Sequence, residues 1–352
     1  MSSKQINIFL TGATGYIGGS ILTGLLNHPN ASNFKITALI RGDESRVNKL
    51  ESLGVTPVVG SNDSHDIIEK AASQSDVVIH TADSADDLPS AKSIVSGLNK
   101  RTQTTGKPVI YIHTSGTGVL AEDVRGKRES NTVYNDLDPD QINGLAEIQI
   151  HRNVDLFIIN AAQVNPLLKS VIVLPSVIYG TGTGLFKRQT IVFVKLIQIA
   201  LQQGKLGLIG PGEATWDNVH IDDLVDAYII LFNELLAAYG PDAKPDVKPN
   251  PYLTTGREGY YFVENGRNTW REIFEKVSEI LHKKGYIQSS KVTSIPDDEI
   301  NTVFPEPFRW FLGTQSNATA QRLRKLGWKP YRPSVLDAIE QEVDATISEN
   351  KN

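Results

Sequence analysis

The segment Thr11–Ser20, TGATGYIGGS, decides how this chain reads. Its glycines Gly12, Gly15 and Gly18 follow an apolar run, Ile6–Leu10, and precede Ile17, Ile21, Leu22, Leu25 and Leu26 at helical spacing. A strand, a glycine loop and a helix in that order form the phosphate-binding turn of a dinucleotide site. Gly12 permits the sharp turn, Gly15 lets a pyrophosphate approach the backbone, and Gly18 lets the helix pack close to the strand. The helix N-terminus then offers N–H groups and a positive dipole end to the phosphates. The cofactor contacts expected from this loop are Gly12, Thr14, Gly15, Tyr16, Ile17 and Gly18.

Outward from the loop, short apolar runs alternate with helical stretches. Candidate strands are Ile6–Leu10, Ile36–Ile40, Thr56–Val59, Val77–His80, Val109–His113 and Ser170–Leu174. Several are continuous Val/Ile/Leu runs, as expected of strands covered on both faces. The fold class is therefore α/β: a doubly wound parallel (Rossmann) sheet with a smaller, discontinuous C-terminal substrate lobe. Residues 1–180, with about 216–240 and 258–265, are assigned to the dinucleotide-binding domain. Residues 181–215 and 266–352 are assigned to the lobe. Helices are expected near Ile191–Gln202, after NVHIDD with Asp222 or Asp223 as N-cap, and over NTWREIFEKVSEIL with an Asn or Thr cap. Pro241–Pro251 is expected to be a loop.

Composition narrows the function. A net charge of -5 and the lack of a basic stripe argue against nucleic acid as a partner. With no cysteine, the chain has no disulfide, thiolate nucleophile or thiolate metal site. No other residues have metal-ligand spacing, and Asp217, Asp222 and Asp223 read better as structural groups. No apolar run is long enough to span a bilayer, and the N-terminus lacks a signal layout, so the expectation is a cytoplasmic protein without a membrane partner.

The second strand ends in ALIRGDESR. An NAD site commonly places Asp or Glu there for the ribose hydroxyls. Arg41 stands there instead, and a guanidinium suits a 2′-phosphate, so NADP(H) is favoured over NAD(H).

Several ordered motifs together resemble the extended, epimerase/dehydratase-like branch of the short-chain dehydrogenase/reductase superfamily. They are TGATGYIGG, DVVIHTA (76–82), VIYIHTSGTGV (109–119), VIVLPSVIYGTG (171–182), NVHIDDLVDAYI (218–229) and SNATAQRLRKLGWKP (316–330). The resemblance spans nearly the whole chain. It implies further cofactor contacts at His80, Thr81, Ala82, Thr114, Pro175 and Val177, a small-molecule substrate, and a homodimer.

The chain departs from that superfamily at the catalytic positions. The usual Tyr and the Lys four residues on should lie before VIVLP, but that region holds no Tyr, and no Lys before Lys169. The nearest match is His151-x-x-x-Asp155, as in atypical members carrying His-Arg-Asn-Val-Asp. The usual serine position falls on Gly116, between Ser115 and Thr117. Four apart on a helix, His151 and Asp155 would share a face and touch. The catalytic candidates are thus Ser115, polarising the accepting atom, and His151, oriented by Asp155, as proton donor. Leu185, Phe186, Trp216, Phe308, Trp310 and Phe311 are candidates for an apolar substrate pocket. The resulting expectation is an NADP(H)-dependent reductase of a small or medium carbonyl, conjugated or imine metabolite. The alternatives are a non-redox isomerase, epimerase or lyase on the same fold, and a catalytically silent NADP(H) sensor.

Overall fold

A computed structural model describes residues 4–128, 130–244, 246 and 248–349. Seven parallel strands form the main sheet: β1 (Ile6–Thr11), β2 (Phe34–Ile40), β3 (Thr56–Val59), β4 (Val77–His80), β5 (Val109–Thr114), β6 (Leu168–Pro175) and, from late in the chain, Tyr260–Val263. Their order is Tyr260–Val263, β6, β5, β4, β1, β2, β3. The order reverses between β1 and β4, so the carboxyl ends of those two strands diverge into a crevice. The helices that cover the sheet include α1 (Tyr16–Leu26), α2 (Glu44–Glu51), α3 (His65–Ser73), α4 (Leu88–Thr105) and α5 (Arg152–Val164).

The strands formed where continuous apolar runs were read. β5 and β4 are buried along their whole lengths, including the polar His80, His113 and Thr114. Close packing is enforced by small residues. A Cβ at Gly97 of α4 would lie 2.3 Å from the Glu69 carbonyl oxygen of α3.

A second core lies beside the carboxyl edge of the sheet. It joins Tyr179, Phe193, Trp216, Trp270, Phe274, Phe304, Phe308 and Ile339. Its elements are β7 (Val177–Tyr179), α6 (Ile191–Gln203), β8 (Thr215–His220), β9 (Arg267–Thr269), α7 (Trp270–Lys283), α8 (Phe308–Gly313) and α9 (Val335–Glu349). β8 pairs with β7 in parallel and with β9 antiparallel, so this small sheet joins the two cores. The segment 318–328 was read with the lobe, but Ala318, Ala320, Leu323 and Trp328 pack into the sheet-side core.

Two helix starts show how local chemistry decides the caps. Thr269 and Glu272 form a reciprocal capping box for α7. The helix Ile221–Tyr239 was expected to start from Asp222 or Asp223. Its cap is His220, whose Nδ1 accepts the Asp222 N–H at 3.1 Å. Asp223 instead receives the N–H groups of Tyr331 and Arg332. Pro245 and Val247, in the expected proline-rich loop, lie outside the described residues. No helix among the described residues is long and apolar enough to cross a membrane.

Candidate active site

The glycine loop has the geometry its sequence requires. Gly12 has φ +78°, and a Cβ there would lie 2.4 Å from Thr81 Oγ1. A Cβ at Gly18 would lie 2.3 Å from the Gly12 carbonyl oxygen. The α1 N-cap is Gly15, with no side-chain cap, so the first-turn N–H groups stay available to an anion. Thr81 seals the strand side: its Oγ1 donates to the Thr11 carbonyl oxygen at 2.7 Å.

Above this loop runs a cleft of about 1290 Å³ along the strand ends. Gly12, Thr14, Gly15, Tyr16, Ile17, Gly18, Arg41, Thr81, Ala82, Pro175 and Val177 line it. Two expected contacts do not. His80 is fully buried behind the wall, with Nδ1 bonded to Tyr111 Oη at 3.0 Å and Nε2 to Ser90 Oγ at 3.3 Å. Thr114 is held by Tyr228, Oγ1 to Oη at 2.6 Å. A cradle that only glycine fits, uncapped helix N–H groups and basic side chains at one end suit a dinucleotide.

At the far end of β2 and β3 the cleft is lined by Arg41, Arg46, Ser61, Asn62 and Asp63. Asp43, the carboxylate nearest Arg41 in sequence, is the N-cap of α2, accepting the Arg46 N–H at 2.9 Å, and its Oδ2 lies 3.4 Å from Arg46 Nε. Arg46 was not anticipated from the sequence. The Asp43 cap, which brings the next turn of α2 back to the cleft, was the signal that would have found it.

A turn covers the glycine loop. Tyr16 Oη donates to the Gly180 carbonyl oxygen at 2.6 Å, and the Gly180 N–H donates to the buried Glu342 carboxylate of α9. Beyond it, Thr183 N–H donates to Ser20 Oγ at 3.2 Å. Phe186 lies under Arg46 and Lys49 at the β2 end of the cleft, away from the lobe. Leu185 is exposed and does not line the cleft, and Phe308 is a core residue. Trp216, Trp310 and Phe311 do line it.

The expected contact between His151 and Asp155 does not form. His151 is the N-cap of α5, in the left-handed region at φ +68°. Its carbonyl oxygen starts the helix, accepting the N–H groups of Val154 and Asp155. Its imidazole leaves the helix face and lines the cleft, with Nδ1 2.7 Å from Asp86 Oδ1. Asp86 comes from the tight turn after β4, where Asp83 adopts φ +51° and its carbonyl oxygen accepts the N–H groups of Asp86 and Asp87. Asp87 caps α4, which leaves Asp86 for the histidine. Nothing in DSADD separates these three acids by sequence alone.

The other nitrogen of His151 faces the glycines after β5. A Cβ at Gly118 would lie 3.0 Å from His151 Nε2, and one at Gly116 would lie 3.6 Å away. Ser115, expected to face the reacting atom, is buried with Asp155 behind this wall, and neither lines the cleft. The Ser115 hydroxyl lies close enough to favour the charged form of Asp155 without reaching hydrogen-bond geometry. Burial nevertheless pushes the Asp155 carboxyl up to about 7. His113 Nε2 is 4.0 Å from Asp155 Oδ1, and burial holds His113 well below its usual value. Ser90, His80, Tyr111 and His113 thus form a buried polar chain ending at Asp155.

The comparisons agree with this architecture. Residues 3–100 match the NmrA-like family. The chain is 29% identical over 341 residues to "Oxidase ucsJ" of Acremonium sp, covering 95% of each chain. It is 25% identical over 249 residues to 2-alkyl-3-oxoalkanoate reductase of Shewanella oneidensis, covering 68% of this chain and 60% of that one. Among solved structures, dTDP-glucose 4,6-dehydratase DesIV of Streptomyces venezuelae, with NAD bound, superposes with a TM-score of 0.65 at 17% identity, covering 98% of each chain. The fold is that of the extended short-chain dehydrogenase/reductase superfamily, the group its sequence motifs resemble.

Proposed function

We propose that this chain is an NADP(H)-dependent reductase of a carbonyl, conjugated or imine compound, with His151 as proton donor and Asp86 as its orienting partner. The observation that supports this most is the His151–Asp86 pair: Nδ1 is held by a carboxylate at 2.7 Å while the ring lines the cleft beside the β5 end. Two relatives named as an oxidase and a reductase, and a structural neighbour holding NAD, favour redox chemistry over a silent binding protein. Arg41 and Arg46 at the β2 end favour a 2′-phosphate.

NADPH, when bound, supplies hydride to the electrophilic carbon. The chain's own part is the proton. With Asp86 accepting from Nδ1–H, protonated His151 carries its second proton on Nε2, toward Gly116 and Gly118. That proton passes to the oxygen or nitrogen that gains the electron pair, leaving neutral imidazole. Asp86, by accepting from Nδ1–H, fixes the ring's tautomer and orientation. Asp155 and Ser115 are buried behind the wall and do not line the cleft.

The test is titration with NADPH and NADH by calorimetry, followed by NADPH oxidation with a panel of carbonyl and imine compounds, using wild type and His151→Ala. The proposal expects tighter NADPH binding, turnover by wild type, and cofactor binding with strongly reduced turnover by the variant. Absence of nucleotide binding at micromolar concentrations would defeat it.

A further inference from the structure

The cleft is chemically divided along its length, and the division bears on what substrate it takes. Arg41 and Arg46 stand at the β2 end, and Lys187 is tied to the glycine loop through its backbone N–H, 3.4 Å from the Thr14 carbonyl oxygen. These are all the Lys and Arg residues among the described lining residues. All three therefore lie where a dinucleotide would run. The opposite end, under the lobe, is lined by Ile150, Ile191, Val192, Trp216, Trp310 and Phe311, with the neutral polar side chains of Thr117, Gln189 and Thr190 among them.

The β4 turn brings acidic side chains to the cleft, and Lys195, whose Nζ lies 5.9 Å from the Phe308 ring centroid, is not among the residues that line it. Asp83 and Asp87 line the cleft and Asp86 holds His151. A phosphate or carboxylate on a substrate would need cationic or N–H partners there, and no lining Lys or Arg supplies them at that end. The aromatic wall is fixed in place. Trp216 spends its indole N–H on the Thr314 carbonyl oxygen at 2.7 Å, so the cleft meets its ring and not its donor. Phe311 packs edge-on to it at 4.6 Å between centroids. Ile191, 57% exposed, continues the apolar surface to the mouth.

We infer that the substrate is a neutral, flat aromatic or polycyclic compound that bears its reducible group directly, and not a nucleotide-linked sugar or other phosphorylated or carboxylated molecule. This rests on the reductase reading for the chemistry, but not for the binding. The fold is shared with a dTDP-glucose enzyme, so it does not itself decide the class.

The experiment uses NADPH-saturated protein and calorimetric titration with three probes: 2-acetonaphthone, 2-naphthoate with the same rings and a negative charge, and UDP-glucose. The expected result is that 2-acetonaphthone binds at least roughly tenfold more tightly than either anion. Trp310→Ala should weaken that binding roughly three- to tenfold, Trp310→Phe should retain most of it, and NADPH affinity should not change. Equal or tighter binding of 2-naphthoate or UDP-glucose would overturn the inference, as would no effect of Trp310→Ala or no binding of any probe at millimolar concentration. Should the neutral probe bind in this pattern while no carbonyl compound drives NADPH oxidation, the substrate class stands and the reductase reading fails. Should only a nucleotide sugar drive oxidation, the reductase reading stands and the substrate class fails.

Discussion

Asp86 Oδ1 lies 2.7 Å from His151 Nδ1, and the two residues come from separate connections on the same side of the sheet switch, one after β4 and one before α5. The pair fixes the histidine tautomer and directs Nε2 toward the cleft. Replacing His151 by Ala should lower kcat by about 10²–10⁴-fold, the usual range for one acid–base group. Asp86→Asn keeps an acceptor near Nδ1 but replaces a charge-assisted hydrogen bond by a neutral one. It should cost roughly tenfold in kcat with little change in KM. Steady-state NADPH oxidation by both variants checks this, and a variant pair with wild-type kcat would remove the proton-donor assignment.

The glycines facing Nε2 give a test that leaves His151 in place. Gly118→Ala would put a Cβ 2.8 Å from Ile150 Cδ1 and 3.0 Å from His151 Nε2, so one of them must shift. Gly116→Ala would put its Cβ at 3.6 Å, an ordinary contact. The first variant should lose at least roughly tenfold in kcat while binding NADPH as before. The second should stay near wild type. Similar effects from both would mean that the space before Nε2 is not where reaction occurs.

Arg41 and Arg46 should separate the two cofactors. A charge-assisted hydrogen bond contributes about 1.5–3 kcal/mol, so Arg41→Ala should weaken NADPH binding by roughly 10- to 100-fold. NADH binding should change little, because it lacks the 2′-phosphate. Arg46→Ala should act in the same direction, and the double variant should bind the two cofactors alike. Calorimetric titration of the four proteins with both cofactors reads this directly. A loss shared equally by NADPH and NADH would assign the arginines to the common part of the dinucleotide.

The fold was legible because its signals are local and redundant. The strand runs read from the sequence placed β3 and β4 to the residue and β1, β2, β5 and β6 to within two residues at either end. The glycine loop gave the direction of the cleft. The site was less legible because its partners are set by turns. His151 and Asp155 are four apart, but a left-handed φ at His151 rotates its side chain off the helix face. Ser115 and Thr114 sit at the strand end the motif indicates. Yet the pleat and the turn at Gly116 bury Ser115 against Asp155, and Tyr228 takes up Thr114. Of six apolar candidates for the substrate end, Trp216, Trp310 and Phe311 line the cleft. Phe186 lines it at the opposite end because the 181–190 turn carries it over α1 to Arg46.

Asp155 offers a prediction about stability. Its carboxyl is fully buried, and burial raises it from 3.8 to about 7. The folded state therefore holds this proton more tightly than the unfolded chain does. The stability tied to the protonated form is complete below about pH 4 and is lost as pH rises toward 7 and above. Asp136, Asp217 and Glu342 are also raised by burial, to about 6, 6 and 7, and contribute with the same sign. Comparison with Asp155→Asn isolates the one group, because the amide does not titrate. Urea unfolding at pH 5 and pH 8 should show wild type losing more stability across that interval than the variant, by an amount on the order of 1 kcal/mol or more. The variant should thus gain on wild type as pH rises. If the two proteins lose stability in parallel, Asp155 is ionised in the folded state, and the buried chain through His113, Tyr111 and His80 must hold a compensating positive charge.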